Sequence, residues 1–245
     1  NKMMLLVTLA NLFGSLGFGT QLVTYFFKYK LPVDFPGADG FIGALGLTTI
    51  YFAITNVPQF IGMIFADKLK KLFKGYVNVL IFIQATNAVV RTVAFLIGFE
   101  GANFWIGMAL LAIGSIPMGA LSIAQTSVFC DSVDYMEWET GKRTEGVTFS
   151  MQTFFTKVSS GITGGLATLS LSLLGYKAID DTATSFVGTQ TAEFDAWIWP
   201  LVMLTPVIAS ILYIVPLFFI RYSPEKRAQV EKDLAERRKL QEVAE

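Results

Sequence analysis

The chain of 245 residues is 53% hydrophobic and only 16% charged, with a formal net charge of zero and a mean hydropathy of +0.54. Soluble domains average about 25% charged residues, so the composition indicates a polytopic membrane protein. The zero net charge provides no basic field for nucleic acid, the absence of His removes most imidazole catalysis and zinc sites, and a single cysteine, Cys130, excludes an internal disulfide.

Six apolar runs are each long enough to cross a bilayer, which takes about 20 residues per helix. Because open sheets cannot span lipid, the runs predict an all-α membrane protein with six transmembrane helices. The predicted spans lie near 3–27, 41–66, 76–98, 104–129, 147–174 and 197–220. They form one bundle over residues 1–220, and six helices allow a three-plus-three inverted repeat. Residues 221–245 are predicted to be a charged, solvated helical tail.

Three of the predicted spans contain residues that are unusual for an uninterrupted apolar helix. Two groups of residues can break a helix: Asn56, Pro58 and Gln59 in the second span, and Gly114, Pro117 and Gly119 in the fourth. We expect the helices to bend there. Arg91 lies in the outer part of the third span and is expected to snorkel outward.

The distribution of Lys and Arg predicts the orientation of the bundle. One side carries Lys2, Lys68, Lys70, Lys71, Lys74, Lys142, Arg143 and the seven bases of the tail, and the other side carries Lys28, Lys30 and Lys177. The basic side of a membrane protein faces the cytoplasm. We therefore expect a multi-pass protein of the cell inner (plasma) membrane, with both termini of this chain cytoplasmic.

A charged segment, 131–146, connects the fourth and fifth predicted spans. Asp131, Asp134 and Glu137 recur every three residues and would share one face of a helical turn that Gly141 ends. This pattern is typical of a gate whose acids pair with nearby bases or with another domain, although an ordinary solvated loop has the same composition. A hydrolase with paired carboxylates is not favoured, because no nucleophile and base accompany the acids.

Lys157 lies about ten residues into the fifth predicted span, roughly 15 Å deep at 1.5 Å per residue. No Asp or Glu occurs inside any of the six predicted spans. Its counter-ion must therefore come from another segment, from a substrate, or from carbonyl groups and water. An intramembrane charge usually marks a functional site, which favours a functional Lys157 over a lysine that simply faces an aqueous cavity.

Polar and small side chains surround Lys157 at helical spacing. They are Gln152, Thr153, Thr156, Ser160, Thr163 and Gly164. Hydroxyl and amide groups on one face suit a polyhydroxylated ligand, but they can also hold helices together. We favour ligand contact for Gln152 and Thr153 and leave both roles open for Thr163. Gly161 and Gly165 are spaced for close helix packing.

The segment DSVDYMEWETGKRTEGVTFSMQTFFTKVSSGITGGLATLSLSLLGY resembles the glycoside–pentoside–hexuronide:cation symporters, melibiose-permease-like members of the major facilitator superfamily. The resemblance rests on the pattern D-x-x-D-Y-x-E-W-x-T-G-x-R-x-E-G followed by a helix with Gln-Thr-x-x-x-Lys, and strongly covers about a fifth of the chain.

The resemblance implies a twelve-helix transporter of two six-helix bundles with sugar bound between them and alternating access, of which this chain is the C-terminal bundle. By position it implies substrate-binding residues Gln152, Thr153, Thr156 and Lys157, and a cytoplasmic gate of Asp131, Asp134, Glu137, Arg143 and Glu145. It implies no enzymatic activity, no cofactor and no metal site. A co-transported Na⁺ or H⁺ is expected, with its ligands mainly in the N-terminal half.

Two departures from the pattern bear on specificity. Ser122 stands near the position of a Trp in melibiose-type members, which does not favour a galactoside, and Gly62 lies one residue farther from Asp67 than in the superfamily loop G-x-x-x-D-R-x-G-R-R. The expected partners are a sugar or glycoside, the N-terminal half and the lipid bilayer, without nucleic acid. Two alternatives remain: transport of an anionic substrate such as a hexuronide or lysolipid through Lys157, and a non-transporting membrane scaffold or receptor.

Overall fold

The computed structural model describes residues 2–31, 46–142, 145–179, 186–220 and 222–244. Every regular element in these residues is a helix. In chain order they are α1 (Lys2–Gly14), α2 (Gly19–Lys30), α3 (Leu47–Asn56), α4 (Gln59–Ile64), α5 (Ala66–Phe73), α6 (Tyr76–Ile97), α7 (Ala102–Met118), α8 (Leu121–Thr140), α9 (Glu145–Leu173), α10 (Ala192–Leu217) and α11 (Pro224–Ala244). Arg143, one of the predicted gate residues, lies outside the described residues.

Five stretches of the described chain are long and apolar enough to cross a membrane: Lys2–Lys30, Leu47–Ile64, Tyr76–Ile97, Ala102–Thr140 and Ala192–Leu217. The predicted span 147–174 falls in α9, which has 29 residues but a more polar composition. The all-α membrane fold is therefore confirmed, whereas a count of exactly six transmembrane helices is not.

Both predicted helix breaks are present, and they face each other. α3 ends before Val57 and Pro58, and α7 is separated from α8 by Gly119 and Ala120. A Cβ added to Gly62 of α4 would clash with the carbonyl of Ile116, and one added to Gly119 would clash with the carbonyl of Gln59. The two backbones thus approach so closely that only glycine fits at the crossing.

A third break, between α1 and α2, was not predicted. Residues 15–18 interrupt the first predicted span, and the hydroxyl of Ser15 donates to the carbonyl of Leu12 at 2.5 Å. Beyond the break, the backbone N–H of Gly19 donates to Oγ1 of Thr205 in α10 at 2.8 Å. A Cβ on Gly19 would clash with the carbonyl of Leu201. The break therefore seats α2 directly against the backbone of α10.

The contacts between helices have an internal symmetry. They are preserved when the first three segments (α1–α2, α3–α4, α6) are interchanged with the last three (α7–α8, α9, α10). α10 packs on α6, and each of the two is the third segment of its set. The packing of α1–α2 on α10 corresponds to that of α7–α8 on α6, and the packing of α3–α4 on α7 to that of α9 on α1 and α2. This correspondence is what an inverted three-plus-three repeat predicts.

Apolar cores fill the two ends of the bundle. One contains Phe26, Tyr29 and Phe194, and the other contains Phe129 and Tyr213. The second core lies at the end where α11 packs, called here the α11 end. Polar hydrogen bonds join helices as well, which stabilises contacts that the hydrophobic effect cannot drive within lipid.

One such polar contact centres on Gln125 of α8. Its Nε2 donates to Oδ1 of Asn11 in α1 at 2.7 Å and to the hydroxyl of Tyr213 in α10 at 2.9 Å. A single amide therefore links three helices.

Candidate functional site

α9 is the least enclosed of the long helices in the described bundle. It packs on α1, α2 and α8 alone among the closely packed neighbours, and only Thr148, Ala167 and Leu171 are buried along its 29 residues. Much of its surface therefore faces away from the bundle.

The predicted substrate residues lie on or beside this outward surface. Thr153, Thr156 and Lys157 are exposed and are called here the polar stripe of α9. Gln152 is half-buried at the edge of this stripe. The hydroxyl of Thr153 donates to the carbonyl of Phe149 at 2.9 Å, and that of Thr156 donates to the carbonyl of Gln152 at 2.8 Å. Both hydroxyl oxygens keep lone pairs that can accept hydrogen bonds from a ligand.

Lys157 forms no ion pair within the described part of the chain. This agrees with the lack of acids in the predicted spans. An ammonium group at this depth has to be hydrated or paired, because exposure to hydrocarbon costs several kcal/mol. The polar stripe therefore requires an aqueous cavity or a polar partner.

An apolar stripe runs along the outward surface of α9 beside the polar one. Phe154 is 62% exposed and Leu169 is 53% exposed. Exposed apolar side chains can contact lipid or another helix. Exposed polar side chains need water or a hydrogen-bonding partner. The two stripes divide α9 into surfaces with different surroundings.

Thr163 lies beside a neighbouring helix. Its Oγ1 lies 2.9 Å from the carbonyl of Ser15, at the break between α1 and α2, although it is also 2.9 Å from the carbonyl of Ser159 in its own helix. The expectation that Gly161 and Gly165 pack closely against a helix is not met within the described residues, where a Cβ added to either glycine has no neighbour within 4 Å.

The helices that contact α9 carry further exposed polar side chains, of which the sequence analysis singled out only Ser122. Thr20, Gln21 and Thr24 are exposed on α2, and Ser122 and Thr126 are exposed on α8. The spacing of four residues between Thr20 and Thr24, and between Ser122 and Thr126, is the signal that could have identified both faces.

Arg91 does not simply snorkel outward. Its Nε donates to Oδ1 of Asn87 at 3.0 Å, the amide of Asn87 donates to the hydroxyl of Ser210 at 2.8 Å, and that hydroxyl donates to Gln84 at 3.0 Å. The guanidinium is thus held inward by a chain of polar groups that joins α6 to α10.

The predicted gate acids lie at the α11 end, in the last turns of α8 rather than in a loop. α8 continues eleven residues beyond the predicted span end at 129 and ends where Gly141 adopts a φ of +69°. Asp131 is buried, Asp134 and Glu137 are half-buried, and Glu145 is exposed at the start of α9. The acidic helical face and its Gly stop are therefore as predicted, but the helix is longer.

Asp131 pairs with a residue of the tail. Its Oδ1 lies 2.9 Å from Nη2 of Arg227 in α11, and Nε of Arg227 lies 3.0 Å from Glu231. The sequence interpretation considered Lys142, Arg143 or another domain as the partners of the acids. The base that Asp131 contacts in the described chain comes from α11 instead.

α11 is docked on α8 and is not a fully solvated tail. Val230 and Leu234 are buried, and Nε1 of Trp138 donates to Oδ2 of Asp233 at 2.8 Å. Nζ of Lys226 lies 3.9 Å from the centre of the Trp138 ring. These contacts hold the helix against the gate acids.

The residues that lead into α11 are ordered by local bonds. The Ser223 hydroxyl accepts from the backbone N–H of Lys226 at 3.2 Å, as a helix cap does. Burial raises the pKa of the Tyr222 phenol from its ordinary value, and the hydrogen bond from Ser223 lowers the pKa of Glu225.

The sequence model of a family described as MFS/sugar transport protein matches residues 1–224. Among similar proteins, the chain is 26% identical over 238 residues to an "Uncharacterized symporter YjmB" of Bacillus subtilis (strain 168), covering 96% of this chain and 47% of that protein. It is 26% identical over 233 residues to an "Isoprimeverose transporter" of Lactiplantibacillus pentosus, covering 90% of this chain and 42% of that protein.

A third relative is a "Glucuronide carrier protein homolog" of Escherichia coli (strain K12), 28% identical over 137 residues, which are 56% of this chain and 28% of that protein. The chain spans about half the length of the first relative and less of the others. The family and these names are those of transporters, not enzymes.

Proposed function

Because this chain belongs to the MFS/sugar transport family, we propose that it forms the C-terminal half of a sugar or glycoside:cation symporter. In this proposal the other half is an N-terminal bundle of six helices. The sugar binds between the two halves, and alternating access moves it across the inner membrane. The α11 end faces the cytoplasm, in accord with the excess of Lys and Arg on that side.

The observation that carries the proposal is the polar stripe of α9. Thr153, Thr156 and Lys157 are exposed within the predicted fifth span, on a helix that its own bundle leaves largely uncovered. A scaffold or receptor has little need for such a costly surface, whereas a transporter needs hydrogen-bonding groups around a water-filled cavity.

The cavity wall in this proposal comprises three helices. α9 contributes Gln152, Thr153, Thr156 and Lys157, and the helices that it contacts contribute the exposed polar residues Thr20, Gln21 and Thr24 of α2 and Ser122 and Thr126 of α8. Hydroxyl and amide side chains both donate and accept hydrogen bonds, as the hydroxyls of a sugar require.

The gate acids act at the cytoplasmic side of this cavity. Asp131, Asp134, Glu137, Arg143 and Glu145 form salt bridges that close the cavity in one state and break in the other. Coupling to Na⁺ or H⁺ relies mainly on ligands of the N-terminal half. No cluster that could hold a metal ion occurs in the part of this chain that the structure describes.

Replacing Lys157 tests the proposal. We expect Lys157→Met to reduce coupled sugar uptake by at least tenfold in cells that depend on this transporter, with normal membrane expression. The matched control is Lys177→Met, because Lys177 is an exposed lysine beyond the end of α9. Full uptake by the Lys157→Met variant would contradict the proposed site.

An anionic sugar is the second candidate substrate. It is favoured by the absence of an acidic partner for Lys157 among the described residues. A hexuronide carboxylate would supply that partner. Competition by a hexuronate that is stronger than competition by the matching neutral hexose, and that is lost in Lys157→Gln, would support this candidate. Equal competition in both proteins would reject it.

A further inference from the structure

A cavity that is separate from the polar stripe of α9 opens at the α11 end of the bundle. It measures about 1110 Å³ and lies between α5, the start of α6, the end of α8 and the start of α11. Its volume is slightly above the range of about 300 to 1,000 Å³ that is usual for small-molecule sites. None of the predicted substrate residues lines it, so it requires its own explanation.

The cavity is lined by more positive charge than its acids neutralise. Among the described residues, five bases line it: Lys70, Lys71, Lys74, Lys226 and Arg227. Two of the three acids, Asp131 and Glu231, are paired with Arg227, and the third accepts a hydrogen bond from the hydroxyl of Tyr76 at 3.1 Å. Lys70, Lys71 and Lys74 form no ion pair in the described chain, which leaves a positive field inside the cavity.

The helix that supplies these lysines has the amphipathic pattern of a helix lying at a membrane surface. On α5, Leu72 is 72% exposed, and Phe65 just before the helix is 41% exposed. Lys70 and Lys71 lie in the last turn of the same helix, and Lys74 is its C-cap. A basic helix with exposed apolar residues binds in the plane of the headgroups, where phosphate groups are concentrated.

From these observations, we propose that the cavity at the α11 end binds a phosphate-bearing anion through Lys70, Lys71 and Lys74. Two sources carry this chemistry: the headgroup of an anionic phospholipid and a soluble phosphate. Lys226 and Arg227 extend the basic wall toward α11, and the hydroxyls of Tyr135 and Ser223 add uncharged hydrogen-bonding groups. The bound anion would bridge α5 to α11 and stabilise the docked position of α11.

Thermal unfolding of the purified protein in non-ionic detergent tests the proposal. One arm adds phosphatidylglycerol, one adds the zwitterionic phosphatidylcholine, and one adds inorganic phosphate against chloride at equal ionic strength. We expect phosphatidylglycerol or phosphate to raise the Tm, and phosphatidylcholine to leave it unchanged. A shift with phosphatidylglycerol alone identifies the lipid headgroup, and a shift with phosphate identifies a soluble source.

The variant Lys70→Gln/Lys71→Gln removes two of the three unpaired lysines. Its apparent Kd for phosphatidylglycerol or phosphate should be about 30-fold weaker, since each lysine near anionic headgroups contributes about a fivefold factor. The control Lys232→Gln/Lys239→Gln loses the same charge at exposed positions of α11 that do not line the cavity. No Tm shift in any arm, an equal shift with phosphatidylcholine, or equal weakening in the two variants would overturn the proposal.

Discussion

Gly62 and Gly119 determine how closely two broken helices can cross. Each glycine lies against a backbone carbonyl of the other helix, so a methyl group at either position has no space. Backbone atoms cannot rotate away as a flexible side chain can. The crossing of α4 with the junction of α7 and α8 therefore depends on both glycines.

Substituting either glycine should destabilise the bundle. We expect Gly62→Ala or Gly119→Ala to cost about 1 to 3 kcal/mol of stability through overpacking, measured as a lower Tm in detergent. Gly161→Ala is the matched control, because its Cβ meets no described atom within 4 Å. A Tm equal to that of the control would show that the helices separate easily.

Individual residues differed in how far the sequence could place them. The exposed polar position of Thr153, Thr156 and Lys157 followed from helical spacing on one element, which the chain itself encodes. The pairing of Asp131 with Arg227 joins positions 96 residues apart in sequence, so only the packing of α11 on α8 reveals it. The contact of Thr163 with the carbonyl of Ser15 joins positions 148 residues apart, so helical spacing alone could not indicate it.

The docking of α11 is the main correction among the elements. A charge-rich sequence predicted a solvated helix, and the buried apolar residues described in it, Val230 and Leu234, give too weak a periodic signal to indicate otherwise. Specific polar contacts complete the interface: Arg227 with Asp131, and Trp138 with Asp233. Because Asp131 belongs to the proposed gate, the docked α11 competes for an acid that gating requires.

Removing Arg227 should release α11 from the bundle. We expect Arg227→Ala to increase amide hydrogen exchange in residues 224–237 by at least tenfold, because it leaves the buried Asp131 carboxylate without its ion pair. Lys232→Ala is the control, since that side chain is 76% exposed. Unchanged exchange in Arg227→Ala would show that the apolar contacts alone hold the helix.

Helix breaks were predictable where proline marks them. Pro58 and Pro117 lie at or beside the two breaks that the sequence indicated. The break at residues 15–18 contains no proline. Its glycine, Gly17, cannot be distinguished in the sequence from a glycine that allows close helix packing. Its position is set by the seat of Gly19 on Thr205, a contact that spans 186 residues of sequence.

The overall arrangement of membrane helices was predicted from the lengths of the apolar runs and not from any single residue. Apolar run lengths placed the membrane helices, apart from the polar α9, whose composition makes it the exception among the predicted spans. That exception coincides with the proposed sugar site, because a helix that faces water and substrate cannot be as apolar as one that faces lipid.

Residues 1–245 alone should not concentrate a sugar against its gradient. The polar face of α9 has no opposing wall among the residues that the structure describes, so substrate bound there would stay open to both sides. Reconstitution into liposomes with an ion gradient and a panel of glycosides checks this expectation. Robust uphill uptake would mean that copies of the chain complete each other, and the need for a separate N-terminal bundle would be rejected.

The polar stripe of α9 is tested most directly by cysteine labelling. Thr153→Cys and Phe154→Cys place neighbouring thiols on the polar and apolar stripes, in a background where the exposed Cys130 is replaced by Ala. We expect a hydrophilic maleimide to label the Thr153→Cys variant in the membrane, the transported sugar to slow that labelling at least fivefold, and the Phe154→Cys variant to react poorly. Labelling of Phe154→Cys alone, or labelling of Thr153→Cys that no sugar of a pentoside and hexuronide panel slows, would contradict the proposed sugar cavity.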